Sequence, residues 1–218
     1  MTTRQIDGLF PTPVAVVDFE GYDVDQVLYA CKSYKDWRPV DGSVTPMAFS
    51  SNDLSVLTEF PELKNLLMEE ISRFGSSTLG YPDDCLQMTT SWFTKTLPGG
   101  SSAFHVHRNS LLSGCFYLDG GPDFAPISFL NKGSFDGGLL VDPVEPTIYH
   151  QNEILYDGKE GRLLIFPSNL PHRVCMHNAV VPRYSIAFNT IFTGSHGVGD
   201  SSVSLTLNDH KFTVDRED

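Results

Sequence analysis

The sequence predicts a mainly β domain of the α+β class: a jelly roll with N-terminal helices packed on one face. Three observations carry this expectation. Helical periodicity is confined to the first third of the chain. After Gly80, roughly eight or more short strand-like runs follow at turn-punctuated spacing. Eighteen glycines and 14 prolines in 218 residues supply the turns that such a fold needs. Two facing sheets of this kind can cradle a site between them.

Taken in order, residues 14–19 read as a first strand. Asp23 suits a helix N-cap, with Val24, Val27, Leu28 and Cys31 on one helical face. Residues 37–52 are polar and irregular. Pro61 and Glu62 suit a first helical turn, Leu63, Leu66, Leu67, Ile71 and Phe74 recur at helical spacing, and Gly75 suits a stop. Together they predict a helix over residues 61–74. Residues 86–95 are rich in Thr, aromatic and apolar side chains, as strands are. Leu97-Pro98-Gly99-Gly100 is a turn. Residues 103–107 and 111–118 read as further strands. The Gly-, Pro- and Asp-rich stretch 119–159 is expected to hold short strands at 127–130, 139–141 and 153–156. An apolar strand over 162–166 is closed by Pro167. Strands over 172–176, 184–192 and 203–207 complete the pattern. The expected organisation is one domain over 1–218, with a supporting region 1–80, a jelly-roll core 86–192 and a C-terminal extension 193–218. The end, Asp215-Arg216-Glu217-Asp218, reads as a solvated tail.

Composition narrows the function. Lys plus Arg is 15 against 27 Asp plus Glu, a formal charge of −12, which argues against a general nucleic-acid-binding surface because phosphate is repelled at long range. No run approaches the roughly 18 apolar residues of a membrane-spanning helix. The first residues lack the apolar core of a signal peptide. A cytoplasmic protein is therefore expected, without a membrane partner. Its four cysteines, Cys31, Cys85, Cys115 and Cys175, form no C-x-x-C pair and read as free thiols in a reducing compartment.

The histidines carry the chemistry. His105-Val106-His107 on a strand would point both imidazoles to one face. His172 follows an apolar strand and a proline-bearing turn, and could complete a facial set of ligands that leaves coordination positions open. Arg183 begins the next strand with Ser185 on its face. An Arg inside an apolar barrel needs an anion, and guanidinium binds a carboxylate by a two-pronged hydrogen bond. Other candidates read as ordinary: His150, His177 and His196 as solvent-facing, Trp92 and Phe93 as core, Arg108 and Asn109 either as residues of a substrate mouth or as plain polar surface. The variable substrate loops are expected at 36–52 and 119–159.

His105-x-His107, then Leu112-Ser113-Gly114-Cys115-Phe116-Tyr117-Leu118, then Ile165-Phe166-Pro167-Ser168 with His172, then Arg183-x-Ser185 and Phe188-Asn189 together resemble the 2-oxoglutarate/Fe(II)-dependent oxygenases. The subgroup is one of small prolyl-hydroxylase-like proteins of bacteria and their viruses. Leu9-Phe10-Pro11-Thr12-Pro13 and Trp92 fit it too, so the resemblance runs from about Leu9 to Asn189. It implies a double-stranded β-helix and an oxidoreductase, a dioxygenase that takes Fe(II), 2-oxoglutarate and O₂ and releases succinate and CO₂. By motif, His105, His107 and His172 match the metal positions. Arg183 and Ser185 match the pair that holds the far carboxylate of 2-oxoglutarate, and Tyr117 supplies a further hydrogen bond to it. The prime substrate, protein side chain or small molecule, is left unnamed, and a homodimer is left open. The setting implied is the cytoplasm of a bacterium or of a virus-infected bacterial host.

One departure stands out. The usual second ligand is Asp or Glu, giving two His and one carboxylate, whereas here the position is His107. Either His107 ligates as a third imidazole, or His105 and His172 bind with water or a remote acid, Asp119 and Asp142 being the nearby acids in sequence. Two other readings of the whole chain stay open at this point. One is a cupin-like three-His metal protein that does not use 2-oxoglutarate. The other is a non-catalytic jelly-roll binding or virus structural protein.

Overall fold

The computed structural model describes residues 3–6, 8, 10–40, 47–131, 143–145 and 147–207. Strand β1 (Ala15–Asp18) leads into helix α1 (Asp25–Ser33). The N-cap is Val24 and not the expected Asp23, although the Asp23 carboxylate accepts the Asp25 N–H at 2.9 Å at the helix entrance. Val27 and Cys31 bury the inner face. Helix α2 (Pro61–Arg73) has proline in its first turn and buries Leu63, Leu67 and Ile71. It does not stop at Gly75. A π-helical turn, Phe74–Thr78, extends it. A Cβ on Gly75 would meet Leu86 Cδ1 at 2.8 Å. The glycine is there for close packing rather than for a left-handed stop.

The remaining strands are β2 (Trp37–Pro39), β3 (Ala48–Ser51), β4 (Leu86–Thr96), β5 (Leu112–Tyr117), β6 (Ile127–Leu130), β7 (Glu153–Tyr156), β8 (Arg162–Pro167), β9 (His172–Val174), β10 (Arg183–Phe192), β11 (Gly194–His196) and β12 (Val203–Leu205). A seven-stranded sheet has the order β1-β8-β5-β10-β4-β3-β2 and faces a three-stranded sheet, β7-β6-β9. β11 and β12 form a separate hairpin, and all these pairings are antiparallel. This is the expected jelly roll.

The large sheet is covered on both faces, which is why its central strands read as unbroken apolar runs. On β5 and β8, Leu112, Phe116, Leu163 and Ile165 pack toward the helices, in a cluster with Leu63, Leu67 and Ile71. Their neighbours Cys115, Tyr117, Leu164 and Phe166 point the other way, into a second cluster with Ile127 and Phe129 of the small sheet. At Gly114 the sheet leaves no room for a side chain, because a Cβ would collide with the Leu164 carbonyl and the Phe188 ring.

Several expectations are corrected. The polar stretch 37–52 contains two strands, β2 and β3. Residues 103–107 are not a strand; one bridge, His105 to His172, is all the pairing they make. β11 was not foreseen. The expected strand at 139–141 and the tail 215–218 lie outside the described residues. Among the described residues, no helix is long and apolar enough to cross a membrane. All four cysteines are free thiols.

Candidate active site

Two kinds of backbone bring the three histidines together. His172 opens β9, and His105 joins it by a reciprocal pair of main-chain bonds, each 3.0 Å. The His107 N–H donates to the Ser168 carbonyl at 2.9 Å. The extended backbone of this segment keeps the two-residue alternation that the spacing requires, although no ladder forms. One ligating nitrogen from each of His105, His107 and His172 lies within 4.8 Å of the others. The closest approach is His107 Nε2 to His172 Nε2, 3.2 Å. Two imidazole nitrogens each about 2.1 Å from one ion and at right angles stand about 3.0 Å apart. The observed gap therefore fits two donors to a single metal.

The far nitrogens are committed elsewhere. His105 Nδ1–H donates to the Ala103 carbonyl at 3.0 Å, and His172 Nδ1–H to the Leu170 carbonyl at 2.9 Å. Such bonds fix the tautomer that leaves Nε2 bare for a metal. Burial, then the neighbouring His105, holds the His107 imidazole down to about 4 and the His172 imidazole down to about 3. Both rings are neutral at pH 7, which is the ligating form.

Farther along the large sheet lies a second group. Arg183, the first residue of β10, is 2% exposed. Its guanidinium carbon sits 4.8 Å from the centre of the Tyr117 ring. Arg183 Nε and Tyr117 Oη are both buried without a hydrogen-bond partner. No described acid forms an ion pair with Arg183. Burial raises the Tyr117 phenol well above its ordinary value, so it stays an O–H donor. Ser185, two residues on, pairs its hydroxyl with Thr94 Oγ1 at 2.6 Å. A buried cation and a buried hydroxyl left unsatisfied together are costly, and a carboxylate bound between them removes both costs. The donor set fits the dicarboxylate cosubstrate. Gly158 backs it: a Cβ there would stand 3.1 Å from a Tyr117 ring carbon and 3.7 Å from Arg183 Nε.

Residues 90–189 match the family described as "Putative 2OG-Fe(II) oxygenase". Over that segment, just under half of the chain, the sequence is similar to the 2-oxoglutarate/Fe(II)-dependent oxygenases. Its fold recurs in solved structures of this kind. The non-heme α-ketoglutarate-dependent epimerase SnoN of nogalamycin biosynthesis is 11% identical, with 95% of this chain and 93% of that one covered and a TM-score of 0.64. HygX from Streptomyces hygroscopicus, crystallised with nickel and 2-oxoglutarate, is 10% identical over 82% of each chain, TM-score 0.57. A Pseudomonas putida prolyl-4-hydroxylase is 15% identical over 82% of this chain and 92% of that one, TM-score 0.52. At such identities the likeness is one of fold. No curated protein sequence matches the chain.

That family uses Fe(II), 2-oxoglutarate and O₂, and the rest of the barrel can be read against it. Asp119 lies at the Arg183 end and accepts the Tyr184 N–H at 2.9 Å. Burial pushes its carboxyl up to about 6. It is engaged away from the triad, and Asp142 lies outside the described residues. Trp92 is half-buried, with its ring centre 5.8 Å from that of His107. It thus borders the histidines, while only Phe93 joins the core. His177, expected at the surface, is 1% exposed. Its Nδ1 accepts the Ala125 N–H and its Nε2–H donates to the Val181 carbonyl. His196 is half-buried and donates to the Thr193 carbonyl, whereas His150 is exposed as expected. Arg108 and Asn109 are exposed beside the triad, Asn109 in the left-handed region. Sequence reasoning assigned no role to a polar chain across the central strands. Ser168 pairs with Ser113 at 2.7 Å, Ser113 donates to Asn189 Oδ1 at 2.7 Å, and Asn189 Nδ2 donates to Thr90 at 3.3 Å. The alternation Arg183, Ser185, Ala187, Asn189 on one face of β10 was the available signal.

Proposed function

We propose that His105, His107 and His172 hold the Fe(II), and that Arg183, Ser185 and Tyr117 hold the far carboxylate of 2-oxoglutarate, for hydroxylation of a C–H bond in a protein side chain or small molecule. The observation that carries this is the buried pair of orphaned donors, Arg183 Nε and Tyr117 Oη, inside the same barrel as three converging imidazoles. When bound, the iron supplies the redox chemistry that couples oxidative decarboxylation of 2-oxoglutarate to oxygen insertion into the substrate.

The chain's own residues do the positioning. Arg183 neutralises one carboxylate, Tyr117 Oη donates to it, and Ser185 borders it. Held at that end, the dicarboxylate has its 2-oxo acid end directed along β10 toward the histidines, so binding energy is converted into orientation. Three neutral ligands leave the centre one charge more positive than two His and a carboxylate do. A three-His protein without 2-oxoglutarate would leave the Arg183 charge with no ion-pair partner among the described residues, which favours the cosubstrate reading.

We read residues 86–192 as the part that bears both groups, with residues 1–80 as its support. The acidic balance of the chain suits a neutral or basic prime substrate, and the Pseudomonas neighbour makes prolyl-containing peptides the first class to try. Free thiols fit the reducing cytoplasm of a bacterium or of its virus-infected state. Anaerobic addition of Fe(II) and 2-oxoglutarate to the purified protein is expected to give a visible charge-transfer band, and its absence would sink the reading. Succinate formed on admitting O₂ is the second measure.

A further inference from the structure

The three imidazoles are not held alike. His105 and His172 each donate Nδ1–H to a carbonyl two residues upstream, Ala103 and Leu170. Nδ1 of His107 has no hydrogen-bond partner among the described residues. Its backbone is fastened to Ser168, and the ring-nitrogen contact it makes is Nε2 to His172. What it has instead is a ring neighbour. The indole of Trp92 lies 5.8 Å from it, inclined by 30°. Trp92 projects from the long strand β4, opposite Ala187 of β10. A regular ladder thus fixes where the indole stands.

Resting on the reading of His107 as a ligand, we infer that Trp92 is its positioning residue. The indole does for this ring what a carbonyl does for the other two. Metal ligation draws electron density from an imidazole, and an electron-poor ring is attracted to an indole face, the best of the aromatic faces for positive charge. The contact therefore strengthens as the metal binds. Loss of a group that supports a ligand costs about ten- to hundred-fold in metal affinity, so Trp92 is placed to matter on that scale. It also accounts for how an imidazole can serve where the family's carboxylate usually does without a hydrogen-bonded support.

The test is Co(II) titration of metal-free protein, followed by visible d–d absorption, with thermal unfolding of each metal-free variant as the control. Trp92→Ala is expected to weaken Co(II) binding by about ten-fold or more and to change the d–d spectrum. Trp92→Phe, which keeps a ring face, is expected to stay within about three-fold of wild type. In a His107→Ala background, Trp92→Ala should cost nothing further, because coupled residues are not additive. Should Trp92→Ala fail to fold, Trp92→Leu, which keeps bulk without a π face, takes its place. Unchanged Co(II) affinity in Trp92→Ala, or an equal loss with and without His107, overturns the inference. Unchanged Co(II) affinity in His107→Ala would instead overturn the ligand reading on which it rests, so the two failures are distinct.

Discussion

His105 reaches the triad from a segment joined to β9 by one bridge, and its side chain is exposed. Arg183 opens β10, which pairs along its length with β4 on one side and over Ser185–Thr190 with β5 on the other, and it is buried. The two ends of the site thus rest on different backbones. One is a junction of short irregular pieces, and the other is the middle of a seven-stranded sheet. The contrast suits the tasks. A centre proposed to hold metal must admit a substrate and O₂; His105 stands at an open edge while His172 is buried, and both gain precision from local Nδ1–H bonds. A carboxylate anchor works by excluding water, since charge-assisted bonds gain strength at low dielectric.

Substitutions at four positions probe that division, in descending order of effect. His172→Ala removes the buried member of the triad and should weaken Co(II) binding by more than about a hundred-fold, exceeding what loss of a supporting group costs. Stability of the metal-free protein, read by thermal unfolding, should change far less. Arg183→Ala should do the reverse. Truncating one partner of a buried charge pair costs about 2–5 kcal/mol, so 2-oxoglutarate affinity, read from the charge-transfer band, should fall by about a hundred-fold or more with Co(II) affinity kept. Arg183→Lys should not restore it, because an ammonium lacks the two-pronged fork. Loss of Co(II) affinity in Arg183→Ala, alongside that of the cosubstrate, would break the division.

Gly158→Ala is subtler. Its methyl would press on the Tyr117 ring at 3.1 Å, and overpacking of this kind costs about 1–3 kcal/mol. About ten-fold weaker 2-oxoglutarate binding is expected, without any change at the metal. Smallest is Asp18→Asn, at the rim of the sheet where β1 meets β8. Arg162 and Lys159 bond the Asp18 carboxylate at 2.7 and 2.8 Å and hold it down to about 2. Partial exposure limits the loss to about 1 kcal/mol. Because the folded carboxyl is more acidic than its ordinary value of 3.8, this stabilisation is complete above that pH and disappears as pH falls through about 2. Unfolding of wild type and variant should converge there.

Much of this was legible in the sequence where one physical rule dominated. Leu63, Leu67 and Ile71 mark α2 because its inner face is apolar at helical spacing. β5 and β8 announce themselves as apolar runs because both faces are covered. The candidate site residues stand out because His and Arg are rare in such surroundings. Reading failed where tertiary context decided. β2 and β3 extend the edge of the sheet with polar residues, so no apolar alternation flags them. Gly75 carries the residue type of a helix stop, yet Leu86, distant in sequence, sets its role. His177 sits in a polar turn by composition, but the Ala125 N–H and the Val181 carbonyl enclose it. Trp92 and Phe93 are neighbours on one strand, and only knowledge of what lies on each face tells the one beside the histidines from the one in the core.

The single bridge between His105 and His172 also sets a timescale. Two hydrogen bonds at the end of a three-residue strand can open without disturbing the ladder of β10, as local fluctuations do in weakly tied segments. Amide hydrogens of His105 and His107 should therefore exchange with deuterated water long before those of Ser185 and Ala187. Iron would then come and go through local fraying while the cosubstrate anchor stays folded. On the proposed ligand set, metal reloading should then need no refolding.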